Sequence, residues 1–179
     1  MWSAESDGSV AARVLATLAG RGQTLATAES LTGGLLAARC TDVPGASRSF
    51  VGGVVSYATR VKVSVLGVPP EVVQQHGVVS EECALAMAHG VRDRLDATWG
   101  LATTGVAGPD QQEGRAVGTV WVAIAGPGGG TARLLALGGD RLAIRQATCD
   151  AVLELLAHEL GECAHAQTEV TRREEGGLG

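Results

Sequence analysis

Apolar residues recur with helical spacing from Ser9 to Leu18, and Gly20 with Gly22 end that pattern. An apolar run, Thr24 to Glu29, predicts a first strand. After it Ser30 is placed to cap a helix from Leu31 to Arg39, and the Pro and Gly of Thr41 to Ser47 predict a loop. Phe50 to Tyr57 predicts a second strand. A short helix follows from Ala58 to Leu66, ended by Gly67, and Pro70 suits the first turn of another. Ser80 is a cap for a long amphipathic helix to about Leu95, with Glu81 and Glu82 well placed against its N-terminal dipole. Trp99 to Gly105 has strand length and polarity, and Val106 to Ala116 is a polar, Gly-containing loop. Val117–Ala125 and Arg133–Leu137 flank "GPGGG" as a hairpin, and Asp140 opens a last helix to about Leu160.

Early strands separated by helices, then a late hairpin, predict a single three-layer α/β/α domain with a mixed sheet. The domain is expected to span residues 1–165, with 166–179 a disordered polar tail, and no internal repeat is present. A chain of 179 residues is long enough to close one core but short for two. No apolar run matches a membrane span or a secretory segment, so the expectation is a soluble, cytoplasmic protein with no membrane partner.

Charge and cysteine spacing narrow the function classes. Nineteen acidic residues against fourteen basic ones leave a formal charge of -5, which offers no basic field for a nucleic-acid backbone. Cys40, Cys83, Cys149 and Cys163 are scattered without a Cys-x-x-Cys pair, which argues against a zinc site and a disulfide framework. His158 to His165, "HELGECAH", lacks His-Glu-x-x-His spacing, and His76 reads as a helix-end residue, so no metal is expected.

The distribution of basic residues is more pointed. Thirteen of the fourteen are Arg, and the only Lys is Lys62; the only Tyr is Tyr57, five positions earlier. Arg cannot lose its proton near neutral pH, so it cannot replace a lysine that acts as a base. The bland alternative is a chance survivor on a solvated helix face.

Ser30 ends the first strand and Thr103, Thr104 and Gly105 end the third, so both can line a crevice beyond the carboxyl ends of the sheet. On its own Ser30 is equally a plain helix cap, and "GVAGPD" (Gly105 to Asp110) equally an ordinary Gly-Pro turn. Arg141 and Arg145, four apart near a helix N-terminus, are placed to hold an anion or to make surface ion pairs. Taken together, Ser30, Tyr57 and Lys62 supply what a serine amidohydrolase working without histidine requires: a nucleophile, a base whose pKa can fall on burial, and a proton relay.

Several blocks now coincide. "AESLTGGLLAARCTDVPGASRSFVGGVVSYATRVKVSVLGVP", "HGVVSEE", "TTGVAGPD", "VGTVWVAI" and "GDRLAIRQ" resemble, in order, the CinA C-terminal domain family of nicotinamide-nucleotide amidohydrolases, over about Thr24 to Leu156. The resemblance implies hydrolysis of the carboxamide of nicotinamide mononucleotide to nicotinic acid mononucleotide and ammonia, in pyridine-nucleotide salvage, without a metal or cofactor. It implies functional positions at Ser30, Ser47, Tyr57, Lys62, Thr104, Gly105 and Arg141. Two departures stand out: Leu31 where the family commonly has Cys, and a loop from Gly108 to Val120 without the usual Gly-Gly-Thr-Pro-Glu-Lys run, with Arg115 where Lys is frequent.

The resulting expectation has Ser30 as nucleophile, Lys62 as general base and Tyr57 assisting proton transfer to ammonia. Backbone N–H groups at the start of the Leu31 helix, or near Thr104 and Gly105, would stabilise the oxyanion, and Arg141, Arg145 and Ser47 would bind the phosphate. The chain resembles the stand-alone form, without the N-terminal nucleotide-processing domain that many members carry. A homo-oligomer is expected, and apolar loops such as Gly77 to Ser80 are candidates for a subunit contact. The alternative is a non-catalytic mononucleotide-binding or competence-associated module.

Overall fold

A computed structural model describes residues 8–161. The expected tail 166–179 and the end of the His158–His165 stretch, with Cys163, lie outside the described residues. Six helices and five strands run in the order α1 (Val10–Gly20), β1 (Leu25–Glu29), α2 (Leu35–Thr41), β2 (Phe50–Val55), α3 (Thr59–Ser64), α4 (Pro70–His76), α5 (Glu81–Arg94), β3 (Trp99–Gly105), β4 (Thr119–Gly126), β5 (Gly129–Ala136) and α6 (Arg141–Glu159). The strand order is β2-β1-β3-β4-β5. β1 pairs parallel with β2 and β3, and β4 pairs antiparallel with β3 and β5, so the sheet is mixed. No helix among the described residues is long and apolar enough to cross a membrane.

Most boundaries fall within about two residues of the sequence reading, and two differ by four. The helix expected from Leu31 begins at Leu35, because Gly33 (φ 59°) and Gly34 (φ 97°) take left-handed backbone that ends the turn after Ser30 and cannot be helical. β5 begins at Gly129, not Arg133: Gly126 pairs with Gly129 across a two-residue turn, so the glycines continue the ladder. Ser80 and Asp140 cap α5 and α6 at the expected positions and Ser9 caps α1, each side chain accepting from the N–H three residues on.

The two faces of the sheet are packed differently. Leu25, Leu101, Val120, Val122 and Ile124 meet α1, α2 and α6 on one side. On the other, Ala26, Ala28, Ala102, Ala123 and Ala125 meet Cys83, Ala84, Met87, Ala88 and Val91 of α5. Small residues on both partners bring α5 very near the sheet. At Gly100 a Cβ would stand 2.1 Å from the carbonyl oxygen of Ala88, so only glycine fits there. This close seating fixes α5, and hence the Gly77–Ser80 segment that leads into it, against the sheet.

Cys40, Cys83 and Cys149 are free and buried. Burial pushes their thiols up, to about 12 at Cys40 and Cys149 and about 11 at Cys83, so they stay protonated and behave as small apolar side chains.

Candidate active site

The chain leaves β1 for β2 on one side and later returns to β3 on the other, which makes the carboxyl ends of β1 and β3 the switch point of the sheet. Ser30 follows β1 directly, and its N–H donates to Thr103 O at 2.9 Å, tying the two strand ends together. A cavity of about 220 Å³ opens there. Its lining includes Ser30, Tyr57, Lys62, Thr104, Gly105 and Arg141, six of the eight residues expected at a site. Ser47 and Arg145 are not on that lining.

Lys62 is the largest side chain buried to this degree, 1% exposed, although it is the only lysine of the chain. Its Nζ lies 3.0 Å from Ser30 Oγ and donates to the carbonyl of Ser56 at 2.6 Å. No carboxylate among the described residues is within ion-pair distance of it. Burial holds its pKa below the usual 10.5, with Cys83 and Glu113 acting in the other direction. A neutral Nζ can donate to Ser56 and still offer its lone pair to the Ser30 hydroxyl. That is the arrangement a serine nucleophile needs.

The turn that carries Ser30 is held from three directions. Glu29, 1% exposed, accepts from the N–H groups of Gly34 (2.9 Å), Leu36 (3.0 Å) and Ala37 (2.8 Å). Its carboxylate thus caps α2, the work the sequence reading gave to Ser30, and leaves the Ser30 hydroxyl free to face Lys62. Thr32 and Thr103 share a hydroxyl hydrogen bond of 2.8 Å. Arg145 donates to Leu31 O (3.1 Å) and Thr32 O (2.7 Å), so both of those bonds clamp the turn from α6. The candidate oxyanion donors are correspondingly restricted: the N–H groups of Gly34, Leu36 and Ala37 at the start of α2 are taken by Glu29, whereas the N–H of Leu31, which lines the cavity, makes no hydrogen bond among the described residues.

At the mouth, Arg141 donates to Gly108 O at 2.7 Å and to the Tyr57 hydroxyl at 3.0 Å. Tyr57 is 61% exposed, and its hydroxyl bonds Arg141, not Ser30 or Lys62. Thr104 gives its one proton to Val78 O at 2.7 Å, fixing the opposite wall. Gly105 has no room for a side chain, since a Cβ would meet Thr119 O at 2.6 Å. Ser47 is exposed on the 3-10 turn Ala46–Arg48. His76 pairs with Glu82 at 3.2 Å, outside the cavity. Among the described residues no three His, Cys, Asp or Glu side chains gather to hold a metal.

Sequence reasoning passed over Glu29, Asp110, Gln112 and Glu113, the middle two of which line the cavity. Glu29 sits in the quoted "AES" and was the one acid in an otherwise apolar strand, a signal that a buried carboxylate must find donors.

The model of the CinA C-terminal domain family matches residues 7–160. A CinA-like protein of Frankia casuarinae is 51% identical over 93% of this chain, and one of Gemmatimonas aurantiaca 46% identical over 89%. The chain spans 38% and 39% of the length of those two proteins. Among solved structures, a competence-damaged protein (CinA) superfamily protein of Klebsiella pneumoniae superposes with a TM-score of 0.83 at 32% identity, over 86% of this chain and 97% of that one. The competence/damage inducible protein CihA of Agrobacterium tumefaciens gives 0.82 at 34%, over 90% and 98%.

Proposed function

This chain belongs to the CinA C-terminal domain family, and from that premise we propose that it is a nicotinamide-nucleotide amidohydrolase, converting nicotinamide mononucleotide and water to nicotinic acid mononucleotide and ammonia. The observation that carries the reading is the 3.0 Å contact between Ser30 Oγ and the buried Nζ of Lys62 on the wall of a cavity. A serine beside a lysine whose pKa is depressed by burial is a nucleophile beside its base.

The steps balance on these two side chains. Neutral Lys62 takes the Ser30 proton as Oγ adds to the carboxamide carbon, and the carbonyl oxygen becomes an oxyanion for which the N–H of Leu31, on the cavity lining, is the candidate donor. The C–N bond then breaks as the Lys62 ammonium returns its proton to the leaving nitrogen, which departs as ammonia. Lys62, neutral again, deprotonates water; hydroxide adds to the ester carbon, and Ser30 leaves with the proton held by Lys62. One well-aimed oxyanion donor contributes about 3 kcal/mol of transition-state stabilisation.

Arg141 and Tyr57 stand at the mouth, where a guanidinium and a phenol suit the phosphate of a nucleotide whose ring lies inside. Their mutual hydrogen bond favours substrate binding for Tyr57 over the proton-relay role expected from sequence.

The test is ammonia release by purified protein from nicotinamide mononucleotide, beside free nicotinamide and the full dinucleotide, with chelator present. Release from the mononucleotide alone supports the reading. Binding of the mononucleotide without release would overturn it in favour of a non-catalytic module.

A further inference from the structure

The 106–118 loop supplies Asp110 and Gln112 to the cavity, and three features of it converge on Glu113. Gln112 and Arg115 exchange both backbone hydrogen bonds, 3.2 and 2.8 Å, which makes Glu113 and Gly114 the two residues of a tight turn. Both have positive φ, 51° and 71°. That conformation favours Gly, Asn or Asp, and glutamate adopts it against preference.

The glutamate's reach accounts for its presence. Glu113 Oε2 accepts from the N–H groups of Val78 (2.9 Å) and Val79 (3.4 Å), on the opposite wall of the same cavity. The carboxylate enters over Gly77, where a Cβ would stand 2.5 Å from Oε2 and where φ is 77°. Gly77 therefore suits the left-handed backbone there, and an added Cβ would displace the carboxylate from its seat. Val78 is held from both sides, its N–H by Glu113 and its carbonyl by Thr104 at 2.7 Å. A shorter Asn or Asp would suit the turn and fail to make these contacts.

We propose that Glu113 is a positioning residue that clasps the 106–118 loop to the Gly77–Val79 segment, fixing Asp110 and Gln112 as a cavity wall and thereby setting affinity for the nucleotide. The affinity part rests on the amidohydrolase reading. The clasp does not.

Three variants separate the elements. Glu113→Asn keeps a residue suited to the turn but removes the reach; Glu113→Gln keeps an acceptor at full length; Gly77→Ala leaves Glu113 intact and obstructs its seat. In Glu113→Asn the Val78 and Val79 amides should exchange with solvent about tenfold faster than in wild type, the loss expected for charge-assisted bonds. KM for nicotinamide mononucleotide should rise about five- to tenfold with kcat within about twofold, the mark of lost ground-state binding. Glu113→Gln should restore most of both, and Gly77→Ala should resemble Glu113→Asn.

Unchanged exchange in Glu113→Asn overturns the clasp. Faster exchange with unchanged KM overturns its role in affinity, and a fall in kcat alone places Glu113 in the chemistry instead. If wild-type protein does not hydrolyse the mononucleotide, the amidohydrolase reading fails while the exchange result still decides the clasp; affinity is then read by calorimetry with the same nucleotide, and equal binding by wild type and Glu113→Asn, or none by either, overturns that part.

Discussion

Lys62 Nζ lies 3.0 Å from Ser30 Oγ, and the two residues reach that distance from different layers of the fold. Ser30 ends the central parallel strand β1, while Lys62 comes from α3, a helix of only six residues beyond the edge strand β2. The pair therefore depends on the β1–β2 register and on the start of α3. The hydrogen bond of Ser56 N to Glu29 O, 2.8 Å, fixes that start beside the end of β1.

Removing the base without removing the bulk should separate chemistry from folding. Lys62→Arg and Lys62→Met are expected to lower kcat about 10²- to 10⁴-fold, the usual share of general-base catalysis. The Met variant should melt no lower than wild type, because it replaces a buried amine lacking a carboxylate partner with an apolar chain of similar length. Ammonia release and thermal unfolding on the same preparations check both halves. Near-normal turnover by Lys62→Arg would remove Lys62 from the mechanism.

Activity should rise with pH as Lys62 loses its proton, with a midpoint below 10.5, and the pH profile of kcat/KM checks this. The stability effect has a definite sign. The folded-state pKa is depressed, so between it and 10.5 the unfolded chain binds more protons at this position. The cost of burying the charge is fully present below the folded pKa and is relieved as pH rises to 10.5. Wild type should therefore gain stability relative to Lys62→Met across that window, as read by urea unfolding at several pH values.

Arg141→Ala is expected to raise KM at least about tenfold while kcat holds, as loss of a charge-assisted phosphate contact would do. Tyr57→Phe discriminates two roles for the phenol. If Tyr57 supports Arg141, KM rises modestly; if it relays a proton, kcat falls instead. Steady-state kinetics on both variants decide the matter.

Glu29→Ala should destabilise the protein by about 2 to 4 kcal/mol, since three N–H groups at the start of α2 lose their acceptor. Glu29→Gln should fall between, keeping one acceptor oxygen. Urea midpoints measure the difference, and equal midpoints for Ala and wild type would show that water replaces the carboxylate without cost.

The order of elements was legible because hydrophobic runs, caps and Gly or Pro stops agreed with one another: Ser80 and Asp140 cap α5 and α6 where their spacing predicts. Lys62 was legible for a different reason, its rarity in an arginine-rich chain. Ser30 misled as a cap because the acceptor for α2 comes from Glu29, five to eight residues before the N–H groups it serves, a spacing outside any local capping pattern. Arg145 was read as an anion ligand or a surface ion-pair partner; its Nε and one terminal nitrogen donate to the carbonyls of Leu31 and Thr32, over a hundred residues away in the chain, which no periodicity encodes. Glu113 was illegible for the same reason. Its partners Val78 and Val79 are backbone groups, and backbone groups leave no mark on a sequence.

The unequal packing of the two sheet faces bears on how related chains can diverge. Beneath α1, α2 and α6 the sheet contributes Leu, Val and Ile, which can exchange for one another as neighbours adjust. Beneath α5 it contributes alanines and Gly100, and a single added carbon at Gly100 would enter the Ala88 carbonyl. Drift should accordingly be lopsided, freer on one side of the sheet and confined, at the fully buried positions of the other, to side chains of one carbon or none. Because α5 begins at the segment that meets both Thr104 and Glu113, inheritance of those small residues preserves the shape of the cavity at a distance from every residue that lines it.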